Sequence, residues 1–188
     1  MKFCSNCGDK VAKRIPEGDD RPRYVCDSCD TVHYQNPKMV VGVLAVQDHQ
    51  VLMCKRAIEP RKGFWTLPAG FMENGETTMA GAIRETWEEA YAKVSVPSLY
   101  RMFELPYINQ VYIFYRANLL DETYSAGPES LDVQLFNEDE IPWKEIAFPI
   151  VTEILREHFE DTRNNEYPVR ISEVDPLWQR KSPRKSSE

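Results

Sequence analysis

Between Gly70 and Ala90 a turn-rich loop runs straight into a helix with carboxylates on one face. Leu67-Pro-Ala-Gly70 and Asn74-Gly75 carry turn chemistry, and they bring Glu76 back toward the start of a helix predicted over Thr77–Ala90. At about 100° per residue, Glu85, Glu88 and Glu89 stand at i, i+3 and i+4. Side by side they repel by a few tenths of a kcal/mol per close pair, a penalty that a divalent cation removes. Hard oxygen donors favour Mg²⁺ or Mn²⁺ over zinc. The same reading puts Met79, Ile83, Thr86, Trp87 and Ala90 on the opposite face, toward a sheet, and leaves Gly81 on the acidic face with room for a ligand.

The surrounding pattern predicts such a sheet. Met39–Val46 reads as a buried strand, with Val51–Cys54 its partner across Asp48-His49-Gln50. Lys93–Val96, Tyr100–Leu105, Gln110–Leu119 and Val133–Phe136 are further strands. A second helix is predicted over Pro149–Phe159, with Ile150, Ile154, Leu155 and His158 or Phe159 at helical spacing. Strands and helices in this order make an α/β chain, a mixed sheet with helices on its faces.

Residues 1–35 form a different module, holding four of the five cysteines. Cys4 and Cys7, and Cys26 and Cys29, are two C-x₂-C pairs at ribbon separation. Each pair aims two sulfurs at one point, and two pairs complete the tetrahedral set of a structural Zn²⁺. Gly8 follows the first pair where a turn can require positive φ, and Asp30 follows the second. His33 is expected outside this complete ligand set, as a surface or linker residue, and Cys54 as a small core residue. Residues 36–162 would be the catalytic domain, and residues 163–188 a partly disordered extension. The basic residues Arg180, Lys181, Arg184 and Lys185 read as a solvated terminus.

The net charge of −7, from 30 acidic and 23 basic residues, disfavours nucleic acid and anionic membranes as partners. Within the ribbon Lys10, Lys13, Arg14, Arg21 and Arg23 are balanced by Asp9, Glu17, Asp19, Asp20 and Asp27, which gives little drive toward RNA. No apolar run approaches the roughly 20 residues of a membrane span. The residues after Met1 show no signal-peptide pattern, so a cytoplasmic location is expected.

The segment as a whole resembles the Nudix box, G-x₅-E-x₇-R-E-U-x-E-E-x-G-U with U apolar. Gly70, Glu76, Arg84, Glu85, Glu88 and Glu89 match it, and the likeness extends over residues 36 to about 160. Thr86 stands where an apolar residue is usual, Ala69 where Gly is common, and Tyr91 where the box has a glycine past the helix. The resemblance implies a Nudix-type α/β/α sandwich behind the zinc ribbon. It also implies in-line attack of water on a diphosphate. Mg²⁺ would be held by Glu85, Glu88, Glu89 and a later-loop carboxylate, here Glu129, with Glu88 as further ligand or base. Arg84 would orient a box carboxylate and Glu76 belong to the loop–helix network. Arg56 and Arg61 are candidates for phosphate contact, and Phe64, Trp65, Tyr107 and Tyr112 for stacking on a base.

Two subgroups with a ribbon are similar to this layout. NADH pyrophosphatases, including enzymes acting on NAD-capped RNA, carry a Ser-Gln-Pro-Trp-Pro-Phe-Pro stretch after the box, and none occurs between Ala92 and Leu120. The expected substrate is therefore FAD or ADP-ribose, a small nucleotide, with NADH or an NAD cap as the alternative and a homodimer left open. A non-catalytic ADP-ribose sensor of the same fold is the alternative from another class. Such sensors typically lose the box carboxylates that this chain retains.

Overall fold

The computed structural model describes residues 1–95 and 97–174. The described chain forms two compact units, Met1–Pro37 and a second unit from Lys38 onward.

The first unit is a three-stranded antiparallel sheet of β1 (Val11–Arg14), β2 (Arg23–Cys26) and β3 (Val32–His33). Its two cysteine turns are built alike. Cys4 N–H donates to the Asp9 carbonyl at 2.7 Å, and Cys26 N–H to the Thr31 carbonyl at 3.0 Å. Each turn needs one left-handed residue, and Gly8 (φ 84°) and Asp30 (φ 54°) supply it. Arg14 pairs with Asp27 and Arg23 with Asp19, so part of the basic charge is neutralised within the unit.

The second unit is built around β4 (Lys38–Gln47), the longest strand, which is apolar on both faces. With β5 (Gln50–Arg56), β6 (Trp65–Thr66), β7 (Ala69–Phe71), β8 (Ser98–Leu105), β9 (Gln110–Asn118), β10 (Ser130–Phe136) and β11 (Arg170–Glu173) it forms an eight-stranded mixed sheet. The main path is β10-β5-β4-β9-β8-β11. Along β4 the pairing to β9 is parallel throughout, from Lys38–Gln110 to Val46–Asn118. On its other edge β4 meets β5 only at Val46–Val51 and Gln47–Gln50, and the two strands splay beyond that. Into the opening fit β7, which pairs with β4 at Gly42–Ala69, and β6, which pairs with β5 at Cys54–Thr66. The splay sets the backbone of Ala69 and Gly70 beside the helix that follows.

Alternation along β4 divides the core. Val41, Val43 and Ala45 join Ala82 and Ala90 of α1 (Thr78–Ala90), while Leu44 and Val46 join Ile150, Ile154, Leu155 and Phe159 of α2 (Pro149–Asn164). The sheet is therefore sandwiched between two helices. Thr77 caps α1, its hydroxyl accepting from Ala80 N–H at 3.1 Å, and Pro149 at the first turn opens α2.

Two expectations change. The strand expected at Lys93–Val96 is reduced to a single bridge, Val94 to Leu119, and Val96 lies outside the described residues. The face of α1 is rotated from the expected one. Gly81, Ala82, Thr86, Glu89 and Ala90 are buried, whereas Ile83 and Trp87 are 37% and 45% exposed. Thr86 enters the apolar layer without an orphaned hydroxyl, because it donates to the Ala82 carbonyl at 2.8 Å. Past residue 162 part of the extension is ordered: α2 ends at Asn164, capped by left-handed Asn165, and β11 adds a parallel edge strand on β8. Asp161 anchors this return through Arg170 (2.6 and 2.7 Å) and Tyr100 Oη (2.6 Å). The expectation of disorder from residue 175 on, with the basic tail, lies outside the described residues.

His158 is buried on α2, its Nδ1 without a hydrogen-bond partner among the described residues. Burial and the nearby Arg116 hold its pKa down at about 4, against the pull of Asp161. The unfolded chain then takes up this proton near pH 6.5 and the folded chain only near 4. The contribution to stability is whole above pH 6.5 and falls by about 3 kcal/mol as pH drops through that window. Urea denaturation at pH 7.5 and 4.5 should show a smaller pH-dependent loss in His158→Phe than in the parent. Equal losses would mean that His158 does not titrate in this way.

Candidate active site

The loop before α1 is tied down by one guanidinium. Arg84 donates through Nε and Nη2 to Glu76 (3.1 and 2.8 Å), through Nη1 to Glu85 (2.7 Å) and Glu88 (2.9 Å), and through Nη2 to the Phe71 carbonyl (3.1 Å). Glu76 also accepts from Glu73 N–H at 2.7 Å. Arg84 first, then that amide, holds the Glu76 carboxyl at about 2, well below the usual range. Glu76 is thus a permanent anion that fixes the loop.

Glu85 and Glu89 lie against the backbone of β7. A Cβ on Gly70 would stand 2.3 Å from the Glu85 carboxyl, so only glycine lets that carboxylate approach. Ala69 N–H points at Glu89 Oε2 from 3.4 Å, and Glu89 is 6% exposed. Burial, reinforced by the charge of Glu85, pushes Glu89 up to about 8. Burial also raises Glu85, against the opposing hydrogen bond from Arg84.

The last turn of α1 recruits another carboxylate. The carbonyls of Glu89 and Ala90 have no helical partners and accept instead from Gly127 N–H (3.0 Å) and Ser125 N–H (2.9 Å). A Cβ on Gly127 would overlap the Glu88 carbonyl at 1.7 Å, so the loop closes on the helix only through this glycine. Two residues on, Glu129 stands near enough for its charge to raise both Glu85 and Glu89. Its backbone is fixed by Ala57 N–H donating to its carbonyl at 2.8 Å.

Glu85, Glu88, Glu89 and Glu129 line one cavity of about 1020 Å³, together with Arg56, Arg84 and Gly70. Part of its wall is aromatic and apolar, with Tyr107, Tyr112, Phe114, Phe148 and Val174.

With this geometry in place, residues 36–162 match the family described as NUDIX domain, and residues 2–35 match the module described as Nudix N-terminal. The chain belongs to the NUDIX family. A NUDIX hydrolase from Nitrosomonas europaea superposes with a TM-score of 0.89 at 51% identity, covering 93% of this chain and 99% of that one. An ADP-ribose pyrophosphatase of Methanocaldococcus jannaschii is 26% identical over 72% of this chain and 78% of its own length. The NAD-capped RNA hydrolase NudC of Chromobacterium violaceum is 33% identical over 50% of this chain, and the match spans only 33% of that protein.

Within this Nudix site the sequence-derived contacts divide. Arg56, Tyr107 and Tyr112 line the cavity. Trp65 does not: it is buried in the core, edge-on to Phe136 at 4.9 Å, because β6 pairs with β5 and turns its ring toward the α2 layer. Phe64 is buried as well, and Arg61 sits over its ring at 5.5 Å; neither is among the cavity-lining residues. Gly81 packs against Val41 and Glu76, where a Cβ would meet them at 2.9 and 2.6 Å, so it leaves no room for a ligand. Sequence reasoning missed Trp87, Tyr91, Phe148 and Val174 in the wall. The exposed side of α1 was the available signal for the first two.

In the ribbon the Sγ atoms of Cys4, Cys7, Cys26 and Cys29 lie within 4.8 Å of one another, the only such donor set of three or more among the described residues. Cys4–Cys29 and Cys7–Cys26 are 3.7 and 3.4 Å apart, close to the edge of about 3.8 Å that a tetrahedron with 2.3 Å Zn–S bonds requires. The residues fit Zn²⁺. His33, expected to be a bystander, is half-buried with Nε2 3.2 Å from Cys4 Sγ, and Thr31 and Asn6 contact Cys29. Such contacts orient ligand sulfurs. Purified protein should carry one zinc per chain after washing with a weak chelator, and Cys26→Ser should lose it. Substoichiometric zinc with freely titratable native thiols would remove the assignment.

Proposed function

We propose that this chain is a divalent-cation-dependent pyrophosphohydrolase that cleaves the diphosphate of ADP-ribose or FAD. The observation that carries the reading is the pair Glu85 and Glu89, set against Ala69–Gly70 in a cavity that Glu88 and Glu129 also line. Four carboxylates line this one cavity with Arg84 among them, and hard oxygen donors of this kind suit Mg²⁺ or Mn²⁺. When bound, such a cation neutralises phosphate oxygens and makes a coordinated water more acidic. Glu85, Glu89 and Glu129 would hold it, with Glu88 as further ligand or as the base that takes the water's proton. Arg84 keeps Glu85 and Glu88 in place through its two short bonds. Arg56, in the same wall, suits a phosphate oxygen. Water forms a bond to one phosphorus, the bridging P–O bond breaks, and the departing phosphate takes the electron pair. From ADP-ribose the products are AMP and ribose 5-phosphate.

The choice of substrate rests on the wall. Leu105, Tyr107, Ile108 and Gln110 line the cavity from the end of β8, the short 3₁₀ turn Pro106–Ile108 and the start of β9. They lie in the stretch Phe103–Gln110, which replaces the proline-aromatic run of NADH-specific relatives with one proline and a different aromatic order. The NudC matches favour the second reading, an NADH or NAD-cap hydrolase. Five free cysteines, four of them clustered, suit a reducing compartment such as the cytoplasm.

Measured at one Mg²⁺ concentration, kcat/KM should be higher for ADP-ribose or FAD than for NADH. A tenfold preference for NADH, equal to about 1.4 kcal/mol in the transition state, would instead support the second reading. Binding of ADP-ribose with no turnover of any of the three would identify a sensor.

Glu89→Gln should retain the parent circular dichroism spectrum and lose at least about tenfold in turnover, the scale of a lost metal ligand. Unchanged Mg²⁺-dependent turnover would show that the carboxylate has no part in the reaction.

A further inference from the structure

We propose that Trp87 and Tyr91 form a stacking site for a planar heteroaromatic ring of the substrate, on the side of the carboxylates formed by the exposed face of α1. The inference rests on the reading of the cavity as a nucleoside diphosphate site, and it names the group that holds one end of that molecule.

Both side chains line the same cavity as Glu85, Glu88 and Glu89. Both are large, aromatic and open to solvent, 45% and 39% exposed, on a helix whose buried side is made by Gly81, Ala82, Thr86, Glu89 and Ala90. Their rings meet edge to face, centroids 5.4 Å apart at 74°. That contact occupies at most one ring face, so the pair braces itself while leaving flat surface for a third ring.

The backbone of Tyr91 supplies the second argument. It adopts the left-handed conformation (φ 44°, ψ 31°) at the C-cap of α1, with its N–H donating to the Trp87 carbonyl at 2.8 Å. Glycine takes this conformation without steric penalty, and the Nudix box has glycine here. Tyr91 keeps the strained state although its half-exposed ring gains little from burial. A ring that earned its place only by packing would not be set there. Fixed at that turn, it stands against Trp87 and beside the cavity.

Spacing along the helix fits a nucleotide. Tyr91 follows Glu88 by three positions and Trp87 follows Arg84 by three, so each aromatic residue neighbours a charged group of the site on its own side of the helix. A ring stacked on Trp87 or Tyr91 would leave its ribose and phosphates to run toward Arg84 and Glu88, the part of the cluster on that side of the helix. Stacking tolerates any flat heterocycle, so adenine and isoalloxazine are both accommodated.

The test compares Trp87→Ala, Trp87→Phe and Tyr91→Gly with the parent, using ADP-ribose and FAD for KM and kcat and calorimetric titration of the same compounds for Kd. Trp87→Ala should raise KM and Kd about tenfold, with the loss in KM rather than kcat, and Trp87→Phe should recover much of it. Tyr91→Gly should weaken binding several-fold while its melting temperature equals or exceeds that of the parent, since glycine removes the backbone strain. A purely structural ring would give the opposite pattern, an unchanged KM. Equal losses with both compounds assign the site to adenine, and a loss confined to FAD assigns it to isoalloxazine; either supports the proposal. Unchanged KM and Kd for both compounds in Trp87→Ala and Tyr91→Gly would overturn it, with the hydrolytic reading intact. If the parent neither binds nor hydrolyses either compound, that reading fails and the stacking site falls with it.

Discussion

Carboxylates gathered at one end of a helix repel each other, and in this fold a single guanidinium offsets much of that repulsion. Arg84 reaches Glu76, Glu85, Glu88 and the Phe71 carbonyl, and so ties the loop after β7 to the middle of α1. The pairs are partly buried, the Arg84 side chain being 24% exposed, so solvent screens them less than it would an open surface pair. Without this clamp neither the loop nor the Glu85 rotamer would have a reason to stay put. Glu89, to which Arg84 makes no hydrogen bond, is held by burial and by Ala69 N–H, with the charge of Arg56 acting on it.

The second constraint is the splayed sheet. Because β4 and β5 pair only at their shared turn, β6 and β7 fill the opening, and the backbone of Ala69 and Gly70 faces α1. Gly70 then admits Glu85, and the close seat of β7 on β4 at Gly42 holds the strand in register. The loop pinned by Gly127 and Ser125 to the end of α1 brings Glu129 from the far side. The site is thus assembled from a strand, a helix face and a loop, each held by backbone hydrogen bonds.

What was legible in the sequence was local. The existence of α1, the cysteine turn with positive φ at Gly8, and the course of β4, β8 and β9 follow from neighbouring residues alone. What failed depended on partners far along the chain. Helix angles alone set Ile83 and Trp87 against the sheet, opposite the carboxylates, yet the buried side of α1 runs through Glu89, which faces the β7 backbone, and leaves Ile83 and Trp87 exposed. Trp65 looked like a ligand contact because it stands in the loop before the box, but pairing with β5 sends it into the core. β11 shows no strand pattern of its own; Asp161, Arg101 and the β8 edge make it a strand.

Glu89 bears on the choice between a catalyst and a sensor. A carboxyl at 6% exposure with one long amide contact destabilises the fold, because burying an ionisable group with so little compensation costs on the order of a few kcal/mol. Against a typical net stability of about 5–15 kcal/mol that is a large fraction. A sensor that merely recognises ADP-ribose gains nothing from such a group, since Gln at the same place would accept the same N–H without the charge. Gln could not supply the anionic oxygen that a hard cation requires. Glu at position 89, with glycine at 70 to admit Glu85 beside it, is the arrangement expected where a cation is part of the chemistry.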